Sequence, residues 1–356
     1  MMRKRYEQLF LQLLQSTLWN KPTDISQLTD EEYEGVMLIA GRQRTEACIG
    51  EALVRGNVRL GREKVAHVMA VIQATERENI LMNRQLTFLT EHLCRHDIEY
   101  YVVKGQVVGM YYPLPSVRQS GDIDIFFPEG SYTAGTQLAK RLGLEAYRGH
   151  EKGKHQIFLK DGVVFEFHHH LLQLATPWHR RCWESYLKET GQGDVVTING
   201  CCVRTLPLCH HLVYVFLHLF FHLITSGVGM RQLCDMAILL RRCYEKGVDW
   251  QEVTTIMESL GCTRAFHAVL ACCVLFLGVS VNLPVILQQK DFWWGERIFQ
   301  NIMRGGNFAL YQRRVSSDGL LHRMETAWMI MRRTFDFYPL APQESLLRVW
   351  TITKDR

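Results

Sequence analysis

Paired cysteine motifs, strong net charge and membrane-length apolar runs are all missing from this chain, and each absence removes a class of function. No Cys-x-x-Cys occurs, and the cysteines are odd in number, at eleven. Neighbours such as Cys201-Cys202 and Cys272-Cys273 sit in apolar runs, where free cysteine packs as a small hydrophobe. That usage is expected of a reducing cytoplasm. The apolar stretch 207–224 is under twenty residues long and contains four histidines, so it reads as a buried helix and no membrane partner is expected. The start Met1-Met2-Arg3-Lys4-Arg5 is basic, but Glu7, Gln8, Gln12 and Gln15 interrupt the apolar residues after it, and no small-residue cleavage site appears. An amphipathic first helix is expected there. A formal net charge of +5, scattered along the chain, argues against a dedicated nucleic-acid groove while leaving room for a locally basic pocket. His218 and His222 have zincin-like spacing but lack the accompanying Glu. No repeat or low-complexity segment is present.

The richest stretch is Ser120-Gly121-Asp122-Ile123-Asp124-Ile125-Phe126-Phe127. It reads as a turn running into a short buried strand. Alternation along a strand sends residues i and i+2 to one face, so Asp122 and Asp124 project together while Ile123 and Ile125 enter a core. Two adjacent carboxylates repel each other and lose solvation; a divalent cation removes that penalty, and oxygen ligands suit Mg²⁺ or Mn²⁺. In Val163-Val164-Phe165-Glu166-Phe167-His168 the alternation places Glu166 and His168 on one face, and a Glu in so apolar a strand requires a partner. His168, His169 and His170 cannot all meet one ion, because consecutive strand residues face opposite ways. Upstream, the strand 98–103 is followed by Lys104-Gly105 and a helix-like run, a turn where backbone N–H groups can approach a phosphate. The plain alternative is a surface hairpin with solvated carboxylates and a Glu paired to an Arg.

Taken together, Lys104-Gly105, Arg118-x-Ser120-Gly121-Asp122-Ile123-Asp124 and Glu166 resemble the nucleotidyltransferase superfamily of the DNA polymerase β type. The closer resemblance is to poorly characterised bacterial nucleotidyltransferases carrying a Lys-Gly turn and a Gly-Asp-Ile-Asp motif. It covers roughly residues 97–172 and continues more weakly in 227–235. Gln106 departs from the pattern, standing where the wider superfamily has Ser.

The resemblance implies an α+β fold: a small mixed-sheet nucleotidyltransferase core (97–204) between an N-terminal helical region (1–96) and a C-terminal helical domain (205–356). Along the chain, Thr29 and Glu32 form a capping box opening a helix expected to run into the fifties. A long helix is expected from about 64 to 95, with Val65, Val68, Met69, Ile72, Ile80, Leu81 and Leu86 available for burial. Strands are expected at 145–148 and 155–159 around a turn at 149–154, Asp161-Gly162 and Asn199-Gly200 read as hairpin turns, and a last helix is expected over 317–335.

The implied reaction moves a nucleoside monophosphate from an NTP to an acceptor hydroxyl with release of pyrophosphate. Asp122, Asp124 and Glu166 would be catalytic and would hold the Mg²⁺ or Mn²⁺ of a two-metal mechanism. Lys104, Gly105, Arg118, Ser120, Gly121 and Arg231 would contact phosphates. His168 and Asp235 would stand behind them, although His168 can equally be packing. Arg231 and Asp235, one helical turn apart, can also pair simply to pin two helices. The acceptor is expected to be a small molecule or a protein. Two readings from other classes stay open: a non-catalytic NTP-binding regulatory module on the same fold, and a helical interaction protein.

Overall fold

The computed structural model describes residues 2–147, 155–172, 174–280, 285–307 and 320–347. The first quarter is helical: α1 (Met2–Trp19), α2 (Asp30–Gln43), α3 (Glu46–Arg55) and the long α4 (Arg62–Arg95). Thr29 caps α2 as its sequence implies, its Oγ1 accepting from the Glu32 N–H at 3.1 Å while Glu32 Oε2 accepts from the Thr29 N–H at 3.1 Å. The expected single helix into the fifties is broken. Arg44 adopts a left-handed φ of 56° and closes α2 by donating its N–H to carbonyls of the last turn, and Thr45 then starts α3.

A five-stranded sheet comes next, in the order β1-β2-β5-β4-β3. Its strands are β1 (Tyr101–Val103), β2 (Ile123–Phe126), β3 (Glu145–Ala146), β4 (His155–Lys160) and β5 (Val163–His168). The sheet is mixed, because β2 pairs β5 in parallel while the other pairings are antiparallel. The short helix α5 (Gly105–Gly109) follows β1, and α6 (Tyr132–Arg141) follows β2. Asp161-Gly162 joins β4 to β5, with φ of 49° and 81°, the left-handed pair a two-residue hairpin of this twist requires. The expected strand at 145 is seen for two residues, and Arg148 with the 149–154 turn lies outside the described residues.

After α7 (Pro177–Lys188), a two-stranded sheet of β6 (Asp194–Ile198) and β7 (Cys201–Thr205) turns at Asn199-Gly200. The rest is helical: α8 (Leu208–Ile224), α9 (Met230–Glu245), α10 (Trp250–Ser259), α11 (Thr263–Leu277), α12 (Gln289–Gly305) and α13 (Leu320–Phe337). Residues 317–319 of the expected last helix fall outside the described residues. The fold is therefore α+β, and no helix among the described residues is long and apolar enough to cross a membrane.

Two apolar cores flank the sheet. On one side Leu86, Leu89 and Leu93 of α4 and Leu138 of α6 pack on Ile123, Ile125, Phe165 and Phe167. Each fully buried side chain of this kind contributes about 1.5–3 kcal/mol. On the other side Leu9, Phe10 and Leu13 of α1 share one cluster with Phe220 of α8, Leu239 of α9 and Val269 of α11. Of the α4 residues expected to be buried, Val65, Met69, Ile80 and Leu81 remain exposed. They lie off the inner stripe of the helix, and that stripe instead buries the polar Thr75, Asn79 and Gln85. The strand alternation now positions the site. With Ile123 and Ile125 turned into the α4–α6 core, Asp124 faces the opposite side of the sheet, toward α8 and α9.

Candidate functional site

The parallel β2–β5 ladder puts Asp124 directly opposite Glu166. Register partners on neighbouring strands share a face, and His168, two residues beyond Glu166, shares it too. Among the described residues, Asp124, Glu166 and His168 are the one group of three whose ligand atoms converge, all within 4.8 Å of one another. His168 Nε2 lies 2.8 Å from Asp124 Oδ1 and 3.6 Å from Glu166 Oε2. Lys104 Nζ meets the same Asp124 oxygen at 2.6 Å. Asp122, just ahead of β2, lines a small cavity of about 70 Å³ together with Lys104, Asp124 and residues of α8 and α9. Larger grooves of about 770 and 930 Å³ lie elsewhere, but this converging cluster is absent from both, so chemistry and not size selects the site.

The electrostatics follow from crowding. Burial and the charges of Asp124 and Asp122 push the Glu166 carboxyl up to about 7. The Asp124 charge, followed by burial, also raises Asp122. For Asp124 itself burial works the other way from its partners, and Lys104 and His168 win, holding it well below the ordinary carboxylate range. Burial opposes the charge on Lys104, yet Asp124 keeps it raised. Two of the three carboxylates are thus raised above their ordinary values by their crowding. Their donor set of carboxylate oxygens and one imidazole nitrogen fits a divalent cation such as Mg²⁺ or Mn²⁺.

The turn before α5 takes its shape from its first residue. Lys104, and not Gly105, adopts the unusual backbone, with φ 57° and ψ −129°. A non-glycine residue there costs on the order of 1–3 kcal/mol. The Lys104 N–H donates to His211 Nε2 at 3.0 Å, and burial lowers His211 to about 4, so the imidazole is neutral and available as acceptor. Gly105 lies against the lead-in to β2, where an added Cβ would sit 3.5 Å from the Asp122 carbonyl oxygen.

Arg118 lines the carboxylate cavity and is held in place by side-chain partners. Its Nε and Nη2 donate to the two Asp235 oxygens at 2.8 and 2.7 Å, and its Nη1 donates to Ser120 Oγ at 3.0 Å. The Tyr112 hydroxyl also donates to Asp235 at 2.8 Å. Asp235 therefore joins the strand lead-in to α9 through Arg118, and the pairing with Arg231 is not formed. Arg231 instead donates from Nη1 to the Gln119 carbonyl at 2.9 Å, and its Nε is buried without a partner among the described residues. Burial, then the Arg118 charge, lowers its pKa. Gly121 is close by, an added Cβ there falling 3.7 Å from Arg231 Nη1.

His211 and Tyr214 were not anticipated from sequence. Tyr214 is fully buried, its hydroxyl has no partner among the described residues, and burial raises it. Residues 211, 214 and 218 fall at helical spacing on one face of α8, which carries two further histidines, His210 and His222. His218 lines the cavity and meets the His222 ring at a tilt of 54°, with ring centroids 4.4 Å apart.

Residues 29–278 match the family model described as uncharacterised nucleotidyltransferase. No curated protein and no solved structure matches the chain.

Proposed function

The chain belongs to the uncharacterised nucleotidyltransferase family, and on that premise we propose that it moves a nucleoside monophosphate from an NTP to an acceptor hydroxyl, releasing pyrophosphate. The observation that carries this reading is the in-register Asp124–Glu166 pair, with His168 and Lys104 on it and Asp122 alongside. Asp122, Asp124, Glu166 and His168 are the groups that would hold Mg²⁺ or Mn²⁺. Such a cation would draw charge from the α-phosphate and the acceptor oxygen.

The remaining roles follow from the side chains themselves. Glu166, raised to about 7, is poised to take the acceptor's proton near neutral pH. The freed oxygen attacks the α-phosphorus, and the bond to pyrophosphate breaks on the opposite side. Lys104 and Arg231 stabilise the charge gathering on the departing phosphates. Arg118, Ser120 and Asp235 hold the strand lead-in against α9 and so position the carboxylates. Gly105 and Gly121 keep the phosphate side free of side chains. The mild net charge of +5 favours a small-molecule or protein hydroxyl over a nucleic-acid end as acceptor.

Incubation with Mg²⁺ or Mn²⁺, each labelled NTP and a fractionated cell extract tests the reading. Mass spectrometry should find an acceptor carrying a nucleoside monophosphate, and Asp122→Asn with Asp124→Asn should abolish it. Labelling that survives in the double variant would overturn the assignment. The Lys104–Asp124 ion pair favours a second reading, a module that binds NTP without turnover. Nucleotide binding with no labelled product in any fraction would support that reading instead.

A further inference from the structure

A second cavity, of about 280 Å³, adjoins the carboxylate cavity: Gly105 and Arg118 line both. Its size is near the lower end for small-molecule pockets, about 300 Å³ and upward. One wall comes from α4, where Glu76 and Asn83 fall at helical spacing with Ile80 between them. The other includes Gln106, Met110 and Leu114. The first quarter of the chain, which shows no catalytic cluster in its sequence, thus builds part of a cavity touching the site.

Gln106 is the telling residue. It is buried, its Nε2 donates to Asn83 Oδ1 at 2.8 Å, and its Oε1 has no partner among the described residues. A buried carbonyl left unpaired is destabilising. An occupant offering an N–H would remove that cost. Apolar flanks from Ile80, Met110 and Leu114 suit the faces of a flat ring, while the amides and Glu76 suit its polar edge.

Resting on the nucleotidyl-transfer reading, we propose that this cavity receives the nucleobase of the NTP and that Gln106 Oε1 accepts from an exocyclic amine of the ring. The triphosphate then runs over Gly105 toward Lys104, Arg231 and the carboxylates, because Gly105 and Arg118 are the shared wall. Adenine and cytosine, which carry that amine, are the favoured bases; hypoxanthine and uracil, which present a carbonyl at the same position, leave two acceptors facing each other.

Titration calorimetry with Mg²⁺ and ATP, CTP, ITP, UTP or inorganic tripolyphosphate tests this. ATP and CTP should bind about tenfold or more tighter than ITP and UTP, the scale of one unpaired buried polar group. Gln106→Leu should bring the ATP-to-ITP ratio near one with tripolyphosphate binding unchanged. Ile80 is well exposed, so Ile80→Trp should fold normally, fill the cavity and weaken ATP about tenfold without touching tripolyphosphate. Equal binding of ATP and ITP by the parent, or ATP affinity indifferent to Ile80→Trp, would overturn the proposal while sparing the transfer reading. If neither nucleotides nor tripolyphosphate bind at all, both fail.

Discussion

Lys104 presents the sharpest quantitative test, because its ammonium occupies the side of Asp124 that a cation would want. The Nζ–Oδ1 separation is 2.6 Å in a buried setting. With an effective dielectric of about 20, Coulomb attraction at that distance is about 6 kcal/mol before solvation is counted. Part of it is recovered when the released ammonium is rehydrated or meets a phosphate. A net contribution of about 1.5–3 kcal/mol, the range for hydrogen bonds to charged groups, is therefore what a cation arriving alone must displace. Lys104→Met removes the competitor while keeping the stem's apolar contacts. Mn²⁺ binding without nucleotide should then tighten about 10- to 100-fold, read by calorimetry or by the paramagnetic resonance of free Mn²⁺. The same variant leaves Asp124 uncompensated, a loss on the order of 3–5 kcal/mol for a buried pair, so its melting temperature should fall and recover on adding Mn²⁺. With NTP the order reverses, because Lys104 is then needed on the phosphates. If Lys104→Met binds Mn²⁺ no better than the parent, the cation does not share Asp124 with Lys104, and the proposed metal site is wrong.

Other tests address the remaining groups. Glu166→Gln should lower kcat on the order of 10²-fold or more while NTP affinity changes far less, since proton removal develops only in the transition state; equal turnover would rule out the proton-acceptor role. Glu166 also makes a stability prediction. Its folded value of about 7 exceeds its ordinary 4.5, so between those values the folded state holds more protons and stability falls as pH rises through the window. Thermal melts of the metal-free protein should show this decline, and Glu166→Gln should flatten it. His211→Phe removes the acceptor of the Lys104 N–H and should destabilise the protein by about 1–3 kcal/mol, the cost of an orphaned buried donor. An unchanged melting temperature in that variant would mean that the turn holds itself.

Much of the site was legible because β-alternation is local. Asp122-Ile123-Asp124 and Val163 to His168 declare which side chains share a face, and the Asp-Gly and Asn-Gly pairs declare their turns through the left-handed backbone they tolerate. What local pattern cannot supply is register and partner. Whether Glu166 stands opposite Asp124 depends on how β5 slides along β2, a matter of long-range packing by Ile123, Ile125, Phe165 and Phe167 against α4. The pairing of Arg118 with Asp235, 117 residues later, had no sequence signal, because any arginine in reach satisfies an aspartate. The nearer candidate, Arg231, went to a backbone carbonyl instead. The break at Arg44 and the exposed residues of α4 were likewise decided by which face met a neighbour. Residue types and their two-residue spacing determined the chemistry available to this protein; only the tertiary structure decided which charges meet, because that meeting is a contest among partners distant in the chain.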